Sequence, residues 1–345
     1  MYSQFNSTTN KNLPTACNRR SRIVIIPLLP SISQSLIYFL DNEKFVIKGE
    51  INEVKTHPLI SIIFPAKNEG ENVRNTLDSL FSVDTHYSFE VIIINDGSSD
   101  DCCDFLNTYI HANQVKLFET EGIGAANARN LGATKASGEF LIFCDAHLQF
   151  EDLWIDHIVE PLLSGKSDAV TPAIASFGNS VFIGYGQTLK SNLRIKWNSK
   201  QNGLFETAVL PGGCFIISKK VFEDVGGFET RFKTWGHEDV ELSIKLWLFG
   251  FRCHVLPDVK IIHLFRKTHP YEVSYDEVYY NLLRMAYSHF NTHRIQKCKK
   301  LMIHVKANPI ESQVLLDGVK KQRRAYFQKR KYDDDWYFAK FNIDF

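Results

Sequence analysis

LISIIFPAKNEGENVRNTLDSLF occupies residues 59–81 and joins two kinds of periodicity. Leu59 to Phe64 is a short apolar run broken only by Ser61, the signature of a strand covered on both faces. Pro65 ends it. From Glu71 to Phe81 the apolar residues Val73, Leu77, Leu80 and Phe81 fall at helical spacing. The pattern then repeats downstream. FEVIIINDGSSDD (89–101) reads as a second buried strand, Phe89 to Ile94, stopping at Asn95-Asp96-Gly97. Ser98 and Ser99 read there as N-caps of a helix starting near Asp100. VKLFET (115–120) is a third strand, GIGAANARNLGATKAS (122–137) a small-residue helix closed by Gly138, and FLIFCDA (140–146) a fourth strand.

Strands alternating with helices at this spacing predict an α/β fold: a mostly parallel sheet with right-handed crossovers, flanked by helices. Such sheets bind ligands beyond the carboxyl ends of their strands. The conspicuous polar residues collect there: Asn68 and Glu69, Asn95 and Asp96, Asp145 and His147. Further on, DAVTPAIASF (168–177) reads as a strand, and LPGGCFIISKKVFEDVGGF (210–228) as a glycine turn, a strand and a short helix. HEDVELSIKLWLFGF (237–251) predicts an amphipathic helix with Val240, Ile244, Leu246, Trp247 and Leu248 inward and Gly250 as its C-cap. CHVLPDVKIIHLFR (253–266) reads as two short strands, and from Asp276 helices dominate.

This divides the 345 residues into an irregular N-terminal extension (1–56), an α/β domain (57–272) and a helical C-terminal region (273–345). That last region is locally basic: between Arg284 and Arg330 twelve Lys and Arg face two carboxylates. The whole chain carries a formal charge of only +1, so no global field argues for a nucleic-acid partner. Seven cysteines without a CxxC pair suggest a reducing, cytoplasmic location. The apolar stretch Ile23 to Leu40 contains two prolines and four polar residues. It falls short of the roughly 20 apolar residues of a membrane span, which leaves peripheral membrane association open.

An aspartate and a histidine two positions apart at a strand end suit a single hard or borderline divalent cation such as Mn²⁺ or Mg²⁺, with positions left for a diphosphate. Asp-x-His alone is a weak signal. The ordered set PAKNEGENV, IINDGSSD, ARNLGATKASGEFLIFCDAH, PGGCFIISKKVFEDVGGF, WGHEDVELSIKLW and HLFRKTHPY is far more specific. It resembles family 2 glycosyltransferases of the GT-A fold, and within them the catalytic domain of polypeptide N-acetylgalactosaminyltransferases, over about Leu59 to Tyr271. The lumenal enzymes of that group carry a membrane anchor and a lectin domain, and neither is evident here, so a bacterial or cytosolic relative is expected.

The resemblance implies roles. The loop Pro65, Ala66, Lys67, Asn68 and Glu69 would line the uridine pocket. Asp96 would accept from the uracil N3–H, and Arg129 would contact the nucleotide or else lie on a solvated helix face. Asp145, His147 and His263 would hold Mn²⁺ against a UDP-sugar, with Arg266 adding charge to the leaving group. Trp235 would present a ring to the sugar, and Gly213 would let it approach the backbone. The second carboxylate of Glu238-Asp239 would be the general base of an inverting enzyme. The resembling retaining family has Asn at that place, so Asp239 leaves inversion and retention both open.

The reaction expected is transfer of a hexose or N-acetylhexosamine from a UDP-sugar to a glycan, peptide or small-molecule acceptor. The alternatives are a nucleotidyltransferase and a non-catalytic nucleotide- or carbohydrate-binding module. The first would want a Gly-rich, cationic phosphate loop after the first strand, and FPAKNEGENV is not one. The basic segment around Lys320, Lys321, Arg323 and Arg324 is expected either to cap the domain or to recruit an acidic acceptor beside Trp235. The sugar, the acceptor and the oligomeric state are not legible in the residues.

Overall fold

The computed structural model describes residues 59–303 and 305–345, together with the strand residues 23–24, 38–41 and 44–46. The chain divides into two units, Met1–Thr56 and His57–Phe345. In the first, β1 (Ile23–Val24), β2 (Tyr38–Asp41) and β3 (Lys44–Val46) form an antiparallel sheet in that order. The rest of the expected irregular extension, and residues 25–37 of the apolar stretch, lie outside the described residues. No described helix is long and apolar enough to cross a membrane.

The second unit begins with β4 (Ile60–Ala66), α1 (Asn72–Ser82) and β5 (Phe89–Asp96). Next come β6 (Val115–Thr120), α2 (Ala125–Lys135), β7 (Phe140–Cys144), β8 (Leu148–Gln149) and α3 (Trp154–Leu163). The middle of the chain adds β9 (Ala169–Ser176), β10 (Asn179–Gly184), β11 (Gln187–Leu189), β12 (Ile195–Trp197), β13 (Phe205–Glu206) and β14 (Cys214–Ser218). It closes with α4 (Lys219–Asp224), α5 (Glu238–Phe249), β15 (Cys253–His263) and five helices. These are α6 (Tyr275–His289), α7 (Thr292–Leu301), α8 (Ala307–Leu316), α9 (Val319–Lys329) and α10 (Asp334–Lys340).

The main sheet runs β13-β15-β9-β14-β7-β4-β5-β6. Strands β7, β4, β5 and β6 are mutually parallel, whereas β14 runs antiparallel to both β7 and β9. The apolar run of β4, broken only by Ser61, reflects cover on both faces. Ile60, Ile62 and Phe64 pack into one core with Val73, Leu77 and Leu80 of α1 and Ile155 of α3. Ile63 joins the opposite core with α2, α5 and the C-terminal helices. Each such fully buried side chain contributes about 1.5–3 kcal/mol. Helix α2 lies very close to the sheet: a Cβ at Gly132 would stand 2.3 Å from Ile63 Cγ2. Its run of small residues is what that closeness requires.

Three expectations are corrected. No α-helix starts near Asp100; the segment holds two 3-10 turns, Asp104–Thr108 and Ala112–Gln114. Its capping groups are used elsewhere: Ser98 Oγ accepts from Asn68 N at 3.1 Å, and Ser99 Oγ donates to Asn68 Oδ1 at 3.3 Å. Residues 253–263 form one strand, with a register shift between Leu256 and Lys260 that accommodates Pro257, which has no N–H to donate. Helix α5 is not amphipathic, because its outer face is covered by α6 and α10, which bury even Glu241 and Lys245. Those two charges are paired at 3.1 Å, and His289 of α6 meets Glu241 at 2.7 Å. Gly250 caps α5 with φ +90°, as expected.

Candidate active site

The carboxyl ends of β4, β5 and β7 open into a cavity of ≈ 920 Å³. Asp145 sits just past β7 and is fixed through its backbone, its N–H donating to Gly213 O at 3.1 Å. His147 follows on the same turn, and His263 is the last residue of β15. Gly213 has no Cβ to obstruct them; one would stand 3.2 Å from His263 Cδ2. His263 Nε2 lies 3.1 Å from Asp145 Oδ2, and His147 Nε2 lies 3.9 Å from the same oxygen. One ligand atom from each of the three residues can be chosen with all three within 4.8 Å of one another.

The groups behind this triad fit a metal centre. Glu69 Oε2 meets His147 Nδ1 at 3.2 Å, which turns Nε2 toward Asp145, the usual arrangement for an imidazole ligand backed by a carboxylate. Glu69 is itself gripped by both terminal nitrogens of Arg266. Burial opposes ionisation of Glu69, but the bonds from His147 and Arg266 outweigh it and hold its carboxyl below the ordinary range. The same balance acts on Asp145, where the His263 bond and the Arg129 charge overcome burial and keep the carboxylate ionised. An oxygen and two imidazole nitrogens, with an ionised carboxylate, suit Mn²⁺ or Mg²⁺.

Arg129 is 3% exposed, so the reading as a solvated helix face is excluded. Its guanidinium donates to Asp145 Oδ1 at 2.8 Å, to Gly212 O at 3.3 Å and to Glu238 Oε1 at 3.3 Å. It therefore ties the Asp145 cluster to the start of α5. There the chain turns through two successive positive φ values, Gly236 at +100° and His237 at +68°. A histidine in that conformation is costly without compensation. The compensation is packing and hydrogen bonding: Glu238 Oε2 accepts from Gly236 N at 3.1 Å, and Asn281 of α6 donates to Trp235 O and Gly236 O. Asp239 accepts from Gly212 N at 3.1 Å and Val240 N at 2.8 Å. Burial, reinforced by the neighbouring Glu238 charge, pushes its carboxyl up to about 7. Burial alone lowers His237 to about 4, so that ring is neutral near pH 7.

Pro65, Glu69, Asp96, Arg129, Asp145, His147, Gly213, Trp235, Glu238, Asp239, His263 and Arg266 all line this one cavity. Asn68 does not; it staples loops, its Oδ1 accepting from Ser99 N at 2.7 Å and its Nδ2 donating to Pro270 O at 3.3 Å. Asp96 is largely committed to its own loop. Oδ1 accepts from Thr120 Oγ1 and Ile123 N, and Oδ2 from Gly124 N at 2.9 Å, which leaves one lone pair on Oδ2 for a ligand. The lining also includes Lys67 of the expected uridine loop and residues not singled out from sequence: Lys267, His269 and Tyr271, and beyond them Tyr279 of α6, Lys300 of α7 and Ile303 just past α7. Lys320, Lys321, Arg323 and Arg324 are absent from it. Arg323 caps α6 instead, donating to Tyr287 O at 2.8 Å and Phe290 O at 2.7 Å.

Comparison with known proteins agrees with this geometry. Residues 61–226 match the family described as Glycosyl transferase family 2, and residues 198–270 match the N-terminal domain of galactosyltransferase. Putative polypeptide N-acetylgalactosaminyltransferase 13 of Drosophila melanogaster is 28% identical over 250 residues, 64% of this chain and 45% of the relative. Polypeptide N-acetylgalactosaminyltransferase 8 of the same species is 30% identical over 228 residues, 61% of this chain and 38% of the relative. The chain thus spans less than half the length of these two curated relatives. Among solved structures, the crystal structure of GalNAc-T7 with UDP, GalNAc and Mn²⁺ superposes with a TM-score of 0.68 at 20% identity, covering 84% of this chain and 57% of the other. With the sheet order, the Asp145 cluster and both family matches in agreement, the chain has the GT-A fold and resembles family 2 glycosyltransferases, among them the catalytic domains of polypeptide N-acetylgalactosaminyltransferases.

Proposed function

We propose that this chain is a metal-dependent glycosyltransferase that moves a hexose or N-acetylhexosamine from a UDP-sugar to a hydroxyl of a polypeptide acceptor. The observation that carries it is the Arg129 link: one guanidinium joins the carboxylate of the metal-type cluster, Asp145, to the carboxylate pair at the head of α5. Donor activation and acceptor deprotonation therefore share one cavity. The polypeptide acceptor is supported by the names of the curated relatives, and the choice of UDP and Mn²⁺ by their presence in the GalNAc-T7 crystal structure. The similarity to glycosyltransferases does not favour a nucleotidyltransferase or a binding module.

Asp145, His147 and His263 would hold the cation. When bound, it supplies positive charge against the diphosphate that departs. Glu69 keeps His147 and Arg266 in place, and Lys67 and Lys267, without ion pairs among the described residues, offer further cations to phosphate oxygens. Asp239, with a carboxyl poised near neutrality, takes the proton from the acceptor hydroxyl. The acceptor oxygen bonds to the anomeric carbon, the bond from that carbon to the phosphate oxygen breaks, and its electron pair leaves with UDP. Attack from the Asp239 side by a single displacement gives inversion.

The test is transfer from a panel of UDP-sugars with and without Mn²⁺, with the product anomer read by NMR. Asp239→Asn should lower kcat by about 10²–10⁴-fold and leave UDP-sugar binding intact. A retained anomer would remove Asp239 as the base. We also place the protein in the cytoplasm. The six described cysteines sit buried as free thiols, which suits a reducing compartment; fractionation of the source cells tests this.

A further inference from the structure

The cavity extends past the catalytic carboxylates onto a wall that the family matches, ending at residue 270, do not include. That wall comes from α6, the end of α7 and the residues just beyond it, joined by the loop before β12. It is continuous with the site, because a Cβ on Gly236 would lie 3.6 Å from Val278 Cγ1 and Asn281 holds the Trp235-Gly236 turn. Its surface is apolar and open. Ile303 is 75% exposed and Ile195 36%, and both face the cavity that Tyr279 and Leu301 also line. Exposed apolar side chains gathered at one cavity mark a binding surface.

Its charges have one sign. The carboxylates lining the cavity lie away from this wall and have partners of their own: Glu69 pairs with Arg266, Asp145 and Glu238 with Arg129, and Asp96 and Asp239 accept from backbone N–H groups. Lys300 and Arg194, by contrast, line it with no ion pair among the described residues. A ligand on this wall thus meets apolar surface and uncompensated positive charge.

Resting on the proposed function, we infer that this wall is an acceptor subsite selecting polypeptides whose hydroxyl residue is flanked by an apolar side chain and a carboxylate. The apolar flank packs on Ile303, Ile195 and Tyr279. The carboxylate pairs with Lys300, with Arg194 beside it. Neither a neutral glycan nor a polar peptide satisfies both features.

The test uses the full chain with Mn²⁺ and three synthetic peptides of equal length, each with one central threonine. The flanks are Ile and Glu, Ile and Lys, or Gly and Asn. The Ile/Glu peptide should exceed the others in kcat/KM by about tenfold, with the margin over Ile/Lys shrinking as salt rises. Lys300→Glu should invert the Ile/Glu to Ile/Lys ratio, and Ile303→Ser should narrow the gap between Ile/Glu and Gly/Asn. Equal use of all three peptides, preferential use of a free monosaccharide, or an unchanged ratio in Lys300→Glu would overturn the inference. If the unmutated protein turns over no UDP-sugar with any acceptor or with water, it is the glycosyltransferase reading itself that has failed.

Discussion

Arg129 and Asp145 meet at 2.8 Å at the base of the cavity, a cation that is 3% exposed against a carboxylate that lines the ligand space. The same guanidinium reaches Glu238, so both sides of the site lean on one side chain. Removing one partner of a buried ion pair leaves the others uncompensated and typically costs about 3–5 kcal/mol. Arg129→Ala should therefore unfold at markedly lower denaturant than the unmutated protein. Arg129→Lys should recover little, because an ammonium lacks the fork that spans two carboxylates. Chemical denaturation checks both, and full recovery by lysine would show that charge alone matters there.

Metal dependence should track the triad. Asp145→Ala and His263→Ala are expected to lower transfer by at least about 100-fold and to weaken Mn²⁺ binding in a titration without donor. Circular dichroism should report an intact fold for His263→Ala. Chelator should abolish activity in the unmutated protein, and added Mn²⁺ should restore it. Full activity in excess chelator would sink the assignment.

Glu69 stands behind the triad, holding His147 through Nδ1 and Arg266 through both terminal nitrogens. Glu69→Gln keeps the shape and removes the charge. Mn²⁺ affinity, measured by calorimetry, should fall by about 10–100-fold, as for other partners of metal-bound histidines. An affinity unchanged by this substitution would leave Glu69 a role at the nucleotide only.

Asp239 gives a pH signature in stability. Its carboxyl rises from an ordinary 3.8 to about 7 in the folded protein, through burial first and the Glu238 charge second. A group raised on folding favours the folded state while protonated in both states, below pH 3.8. That contribution is lost as pH rises from there to about 7 and stays lost above. Asp239→Asn escapes the loss. Its Tm advantage over the unmutated protein should grow between about pH 4 and 7, level off above that, and reach at least about 2 °C. A constant difference across that range would mean the carboxyl is not raised.

Much of this was legible in local pattern. The apolar run 59–64, the helical spacing after it and their repetition at 89–94 and 140–144 predict a parallel sheet, since strand and helix periods act over a few residues. Asp145 and His147 at a strand end, and Glu238-Asp239 at a helix start, are likewise local, and the GT-A resemblance joined them to His263. Where local pattern failed, a partner distant in the chain had claimed the group. Ser98 could not cap a helix because Asn68 donates to it, and the outer face of α5 could not be polar because helices from the last quarter of the chain cover it.

The wiring of the site lay beyond any such pattern. Arg129 meets Glu238 across 109 positions, Arg266 meets Glu69 across 197, and Asn281 steadies Trp235 across 46. No periodicity encodes such pairs, because each depends on where two separately formed elements come to rest. The same holds for the basic C-terminal region: composition marks it as cationic, yet packing alone ties Arg323 to the end of α6 and leaves Lys300 facing the cavity. Residue type and spacing determine which chemistry this chain can hold. Long-range packing determines which groups are spent on structure and which remain for a substrate.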